Sequence, residues 1–199
     1  MDKLNLASHP ECRSELPVRV LQFGEGNFLR GFFDWSLLRL NQQGLFNGRV
    51  AAVQPTPRGR VMPKLRAQDY LFTTVLRGQC EGKTVEQIDI VNTIACGFNP
   101  YVDTEWQQLQ ELACDPAVEF VVSNTTEAGI VYEEVPRPEQ SAPSSFPAKL
   151  AWLLYKRYER HPEAGVNVLP CELIEDNGTQ LKQLVLRHAA SWQLGAGFE

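Results

Sequence analysis

Short apolar runs alternate along this chain with longer stretches in which apolar residues recur every three or four positions. The first run, Val18-Arg-Val-Leu-Gln-Phe23, reads as a buried strand. Residues 27–43 follow at once as a helix. Leu29, Phe32, Phe33, Leu37 and Leu40 give it one apolar face, Arg30 and Asp34 form an i,i+4 pair, and Gly44 is placed to stop it. Residues 50–53 make a second apolar strand, ended by Pro55 and Pro57. Residues 69–77 and 84–95 are rich in β-branched and aromatic side chains and are expected to pair antiparallel.

Further on, the pattern predicts a helix at 103–114 capped by Asp103 or Thr104, and a strand at 117–122 broken only by Glu119. The Pro- and Ser-rich stretch 136–147 reads as an exposed loop, and 146–158 as a helix with Pro147 in its first turn. A strand at 166–169 and a helix at 179–192, capped by Asp176 or Asn177, complete the chain. Alternating short strands and helices predict an α/β, doubly wound fold: a mainly parallel sheet with helices on both faces. In such a sheet ligands bind beyond the carboxyl ends of the strands, so the loops after Phe23, Val53, Val122 and Leu169 should line one crevice.

Composition narrows the function. The 199 residues suffice for one good core, and the net charge of −5 offers no basic footprint for nucleic acid. The basic cluster Lys156, Arg157 and Arg160 reads as a solvated helix face. No apolar run is long enough to span a membrane, and the first ten residues lack the apolar core of a secretory signal. Five scattered cysteines without a Cys-x-x-Cys pair point to a reduced, cytoplasmic protein. His9, His161 and His188 lie far apart, without metal-ligand spacing, and His188 falls on an apolar helix face as a core residue.

The chemistry concentrates where the first strand ends in Gly24-Glu25-Gly26 and turns into a helix. Bare backbone lets a pyrophosphate approach, and the free N–H groups of a helix start hold its charge. Gly24 makes the turn and Gly26 leaves room, while Leu29 stands where a third glycine is usual. The unit 18–54 is thus the core of a dinucleotide site. Its second strand ends in Gln54 instead of the usual ribose-binding acid, and Arg58 and Arg60 follow, so these residues leave NAD and NADP both open. Asn124 and Thr125 follow a strand where the nicotinamide end would lie, with Glu127 as a candidate acid. Cys171 reads as a small buried residue and Lys149 as a surface lysine.

Three ordered motifs, Phe23-Gly-Glu-Gly-Asn-Phe-Leu-Arg-Gly-Phe-Phe33, Ser123-Asn-Thr-Thr-Glu-Ala-Gly-Ile130 and Leu169-Pro-Cys-Glu-Leu-Ile-Glu-Asp-Asn-Gly178, resemble the N-terminal domain of the mannitol dehydrogenase family, the polyol-specific long-chain dehydrogenases. Val53-Gln-Pro-Thr-Pro-Arg-Gly59 and Phe146-Pro-Ala-Lys-Leu150 point the same way, toward the branch that interconverts tagaturonate and altronate. The resemblance implies a Rossmann-like domain over residues 1–199 that binds NAD through Phe23, Gly24, Glu25, Gly26, Asn27, Phe28, Leu29, Arg30, Gln54, Asn124 and Thr125. It also implies a sugar-acid substrate and a separate helical domain, expected beyond residue 199, that carries a catalytic lysine; nothing in this chain matches that lysine's helix. Relatives read Cys-Asp-Asn where this chain has Cys171-Glu172-Leu173, and Leu173 cannot hold the reacting oxygen as that asparagine does. Asn177 becomes the candidate substitute. A fructuronate or mannitol-type dehydrogenase and a non-enzymatic nucleotide sensor are the other readings.

Overall fold

The strands stack by register. In a computed structural model of the chain, which describes residues 4–126 and 129–198, five strands form one parallel sheet in the order β5-β2-β1-β6-β7. They are β1 (Val18–Phe23), β2 (Arg49–Val53), β5 (Ile94–Phe98), β6 (Phe120–Ser123) and β7 (Asn167–Pro170). Phe23 pairs with Val53 and with Ser123, Val53 with Phe98, and Ser123 with Pro170. All five strands therefore end in one row, and the residues that follow form a single edge.

Side chains alternate across that sheet. Leu21, Phe23, Ala51, Val53 and Val121 face one side, where α3 (Asp103–Ala113), α4 (Phe146–Arg160) and α5 (Asn177–Ser191) cover them. Val20, Val50, Ala52 and Val122 face the other. There the first helix and the short α2 (Met62–Arg66) close the core, together with the base of a separate antiparallel hairpin, β3 (Phe72–Cys80) and β4 (Lys83–Val91). The doubly wound α/β expectation holds. Glu119, the odd charge near β6, is paired with Arg19 on the adjoining strand.

Several local expectations are corrected. The first helix contains a π-helical stretch, Leu29–Asp34, before α1 (Trp35–Gln42). The extra residue in the turn rotates the faces, so Leu29 and Asp34, five apart, are both buried while Phe32 and Leu40 point outward. Asp34 thus forms no ion pair with Arg30 among the described residues. Gly44 does end the helix: its φ is +70°, and Gly44 and Leu45 donate to the carbonyls of Asn41 and Leu40, a Schellman closure. The segment expected as one strand at 84–95 breaks at Asn92 and Thr93, and its tail becomes β5 in the main sheet.

The helix caps also differ. Val102 precedes α3 without a side-chain cap, and Asp103 accepts from Ser141 instead. Asp176 sits at the start of α5 in the left-handed region, with no capping bond. Ser145 caps α4 by accepting from Ala148 N–H, with Pro147 in the first turn as expected. The 136–147 loop is only partly exposed, because Pro138, Pro143 and Ser145 are buried and Phe146 already belongs to α4.

Arg157 is not on a solvated face. It is buried, and its five guanidinium N–H groups meet the carbonyls of Ala113, Asp115, Val118, Ala164 and Gly165 at 2.7–3.4 Å. These carbonyls end α3 and flank the entries to β6 and β7. Removing the guanidinium strands them in a dry site, so Arg157→Met is expected to cost about 3–5 kcal/mol of stability. A lysine, with three donors, restores only part of it; urea denaturation of the three forms checks both statements.

Candidate functional site

At the edge where the strands end, the chain turns through Gly24 with φ +119°. A Cβ there would lie 2.9 Å from the Asn124 carbonyl oxygen and 3.1 Å from Leu29 Cδ1. Only glycine fits, and the same contact explains Leu29. Its fully buried side chain packs against the glycine where a third glycine would have left a gap. Gly26 is the opposite case: a Cβ on it would meet nothing within 4 Å. Gly26, Asn27 and Phe28 are exposed at the start of the helix, where N–H groups lack intrahelical partners. Phe28 and Phe32 stack, 5.4 Å between centroids, on the open side. A tight, side-chain-free turn beside an open helix start leaves backbone N–H groups free to meet an anion.

The other predicted residues take different roles. Phe23 and Leu29 contribute buried side chains to the core, not a surface to a ligand; Phe23 packs against Phe146 at 4.9 Å. Arg30 donates to the Glu25 carbonyl at 2.9 Å and to Asn27 Oδ1 at 2.7 Å, bracing the turn. Gln54 ends β2 as expected, but it is buried, and its amide donates to the Thr56 carbonyl at 2.7 Å. Arg58 and Arg60 are exposed on the loop that folds over it. Asn124 donates to the Cys171 carbonyl at 2.7 Å. Glu127 lies outside the described residues.

Beside Asn124, Glu172 supplies a contact that reading the sequence did not single out. Its buried carboxylate accepts from Ser123 Oγ at 3.0 Å, Thr125 N–H at 2.9 Å and Thr125 Oγ1 at 3.1 Å. One carboxylate therefore clasps the loops after β6 and β7. Asn177 completes the clasp, donating to the carbonyls of Pro170 and Glu172 at 2.9 and 3.0 Å. Both amide N–H groups are spent there, so the geometry gives Asn177 a loop-holding role and no free donor for a substrate oxygen. Leu173 is 88% exposed.

Two more polar groups lie under this edge. Lys149, expected at the surface, is 2% exposed; its Nζ donates to the Ser144 carbonyl at 2.6 Å and to Tyr101 Oη at 3.3 Å. Tyr101 in turn donates to the Pro55 carbonyl, which ties α4 to the loops after β5 and β2. Burial lowers the Lys149 pKa to about 8. Beneath the glycine turn, Gln22 donates to the Gly24 carbonyl at 3.1 Å and to Asp34 Oδ2 at 3.3 Å. Burial pushes both Asp34 and Glu25 up to about 7, against the pull of nearby Arg30. His188 is a core residue, as expected, between the rings of Tyr132 and Trp192.

A parallel sheet with a glycine turn and an open helix start at its carboxyl edge is the architecture of a Rossmann-like domain. The chain belongs to the mannitol dehydrogenase family: the family model of the mannitol dehydrogenase Rossmann domain matches residues 18–196. It is 50% identical over 188 residues to an altronate oxidoreductase of Halalkalibacterium halodurans, covering 93% of this chain and 36% of that protein. It is 42% identical to an altronate oxidoreductase of Bacillus subtilis, covering 100% and 41%. The chain thus spans about two fifths of the length of the curated relatives it matches. Among solved structures, Pseudomonas fluorescens mannitol 2-dehydrogenase, in a ternary complex with NAD and D-mannitol, shares the fold with a TM-score of 0.78 at 19% identity, over 95% of this chain and 42% of that one. A D-sorbitol dehydrogenase gives 0.70 at 19% identity, over 88% and 38%.

The two glycines are predicted to part company under substitution. Gly24→Ala forces a side chain into left-handed backbone against a fixed carbonyl and is expected to destabilise by more than about 1 kcal/mol. Gly26→Ala, which meets nothing, is expected to leave the melting temperature unchanged; thermal denaturation of the pair checks this. Asp34 supplies a second prediction. Its raised pKa means that its contribution to stability is complete below about pH 4 and is lost as pH rises through about 7. Asp34→Asn is therefore expected to gain on the parent chain between pH 4 and 8, by about 1–4 kcal/mol, in parallel denaturation series.

Proposed function

We propose that this chain binds NAD(H) along the carboxyl edge of its sheet and is the cofactor-binding part of an oxidoreductase acting on a sugar acid, interconverting tagaturonate and altronate. The observation that carries the reading is the pairing of a closed Gly24 with an open Gly26 at an exposed helix start. Backbone N–H groups there hold the pyrophosphate without competition from side chains. The loops after β6 and β7, locked by Glu172, then form the floor for the nicotinamide end. A bound nicotinamide supplies the acceptor or donor of a hydride.

The residues of this chain hold and orient. Glu172 and Asn177 are committed to the loops, and Lys149 is bonded beneath the edge, so the proton that leaves or joins the substrate oxygen is assigned to a group from the remainder of a longer enzyme. The substrate reading rests on the relatives named altronate oxidoreductase, at 50% and 42% identity.

Isothermal titration of the 199-residue chain with NADH is expected to give one saturable site. Gly26→Val is expected to keep the fold and to weaken binding at least about tenfold, since its side chain occupies the path of the phosphates. No heat with the folded parent chain overturns the cofactor reading. For the substrate, the full-length enzyme assayed with tagaturonate, fructuronate and mannitol separates the alternatives, and turnover of mannitol alone overturns the sugar-acid reading.

A further inference from the structure

The adenosine corner of the site is built in an unusual way. A Rossmann sheet ordinarily ends its second strand in an acid that accepts from the ribose hydroxyls. Here Gln54 holds that place, yet its amide is turned under to the Thr56 carbonyl. The 55–61 loop presses on it so closely that a Cβ at Gly59 would lie 2.4 Å from Gln54 Cδ. An acid does stand at this corner, one strand over. Gly24 N–H donates to the Val53 carbonyl at 3.0 Å, which brings Glu25 beside the end of β2. The Glu25 side chain runs toward the start of α2, where the Met62 N–H lies close enough to favour its charge.

Glu25 is 4% exposed, and its Oε2 has no hydrogen-bond partner. A buried carboxylate oxygen without a donor is costly, and a site that keeps one is completed by a ligand that brings a donor. Ribose hydroxyls are such donors, and a 2′-phosphate is not. Arg30 is held at the turn by its bonds to the Glu25 carbonyl and Asn27 Oδ1. Given the dinucleotide reading above, we propose that Glu25, in place of the missing acid at Gln54, selects the cofactor at its adenosine ribose by accepting from a hydroxyl and opposing a 2′-phosphate.

The test is a pair of dissociation constants, for NADH and NADPH, measured by titration calorimetry on the 199-residue chain and its variants at about pH 8.5, above the Glu25 pKa of about 7, so that its carboxylate carries charge. Glu25→Gln is expected to shift the NADPH-to-NADH preference at least about tenfold toward NADPH, and Gln54→Ala to leave it within about twofold. Glu25→Asp keeps the charge on a shorter arm; it is expected to bind NADH more weakly while still rejecting NADPH, and it serves if Glu25→Gln does not fold. An unchanged ratio in Glu25→Gln, a ratio governed by Gln54, or unaltered NADH binding by Glu25→Asp overturns the proposal while leaving the dinucleotide reading intact. If the folded parent chain binds neither cofactor, both readings fail together.

Discussion

The functional edge depends on one close approach, the passage of the Gly24 backbone under the carbonyl of Asn124. At that crossing no Cβ fits, on steric grounds and because φ lies in the left-handed region. The approach lets β1 hand over to its helix within three residues and lets Leu29 seal the space beneath. It also brings the β6 loop against the turn, so that the glycine turn and the neighbouring loop become one surface. A bulkier turn would separate them and leave the strand ends as independent loops.

Around that crossing, loops that have left the sheet are held by buried side chains that answer backbone polar groups. Glu172 collects an N–H and two hydroxyls on the site side, and Arg157 collects five carbonyls at the opposite edge, where β6 and β7 begin. A parallel sheet needs such devices at both edges, because its connections leave the ladder with donors and acceptors unpaired. The charge is buried because each bond to it is stronger than a neutral one. The outcome is a rigid edge on which a ligand meets pre-placed groups.

The strands and helices were legible because their periods are regular and their ends are marked by Gly24, Gly44, Pro55 and Pro147. What escaped notice shares a physical cause. Lys149 and Arg157 both lie on the amphipathic helix α4, where a basic residue ordinarily meets water; the loops carrying Tyr101 and Ser144 turn Lys149 inward, and the end of α3 with the strand entries turns Arg157 inward. Asp34 was read as the partner of Arg30 because that spacing assumes 3.6 residues per turn, and the π stretch breaks the assumption. The start of β5 was absorbed into β4 because two polar residues, Asn92 and Thr93, are a weak break in a β-rich stretch. Glu172 looked like a departure from a motif, since its role depends on hydroxyls nearly fifty residues away.

By itself the sequence determined the class of fold, the position of the glycine turn and the family, because these follow from local period and from motifs in chain order. The tertiary structure decided which polar residues serve the edge and which are spent inside it. Asn124 carries the right chemistry for a ligand, but its amide is bonded to the Cys171 carbonyl, which only folding brings near, and Gln54 and Asn177 are likewise spent on carbonyls of their own loops. Glu25 has a neighbour sequence that reads as part of a turn, and its significance lies in a carboxylate oxygen left without a donor beside the end of another strand. Hydrogen-bond partners over such distances depend on strand order and register, and a linear pattern carries neither.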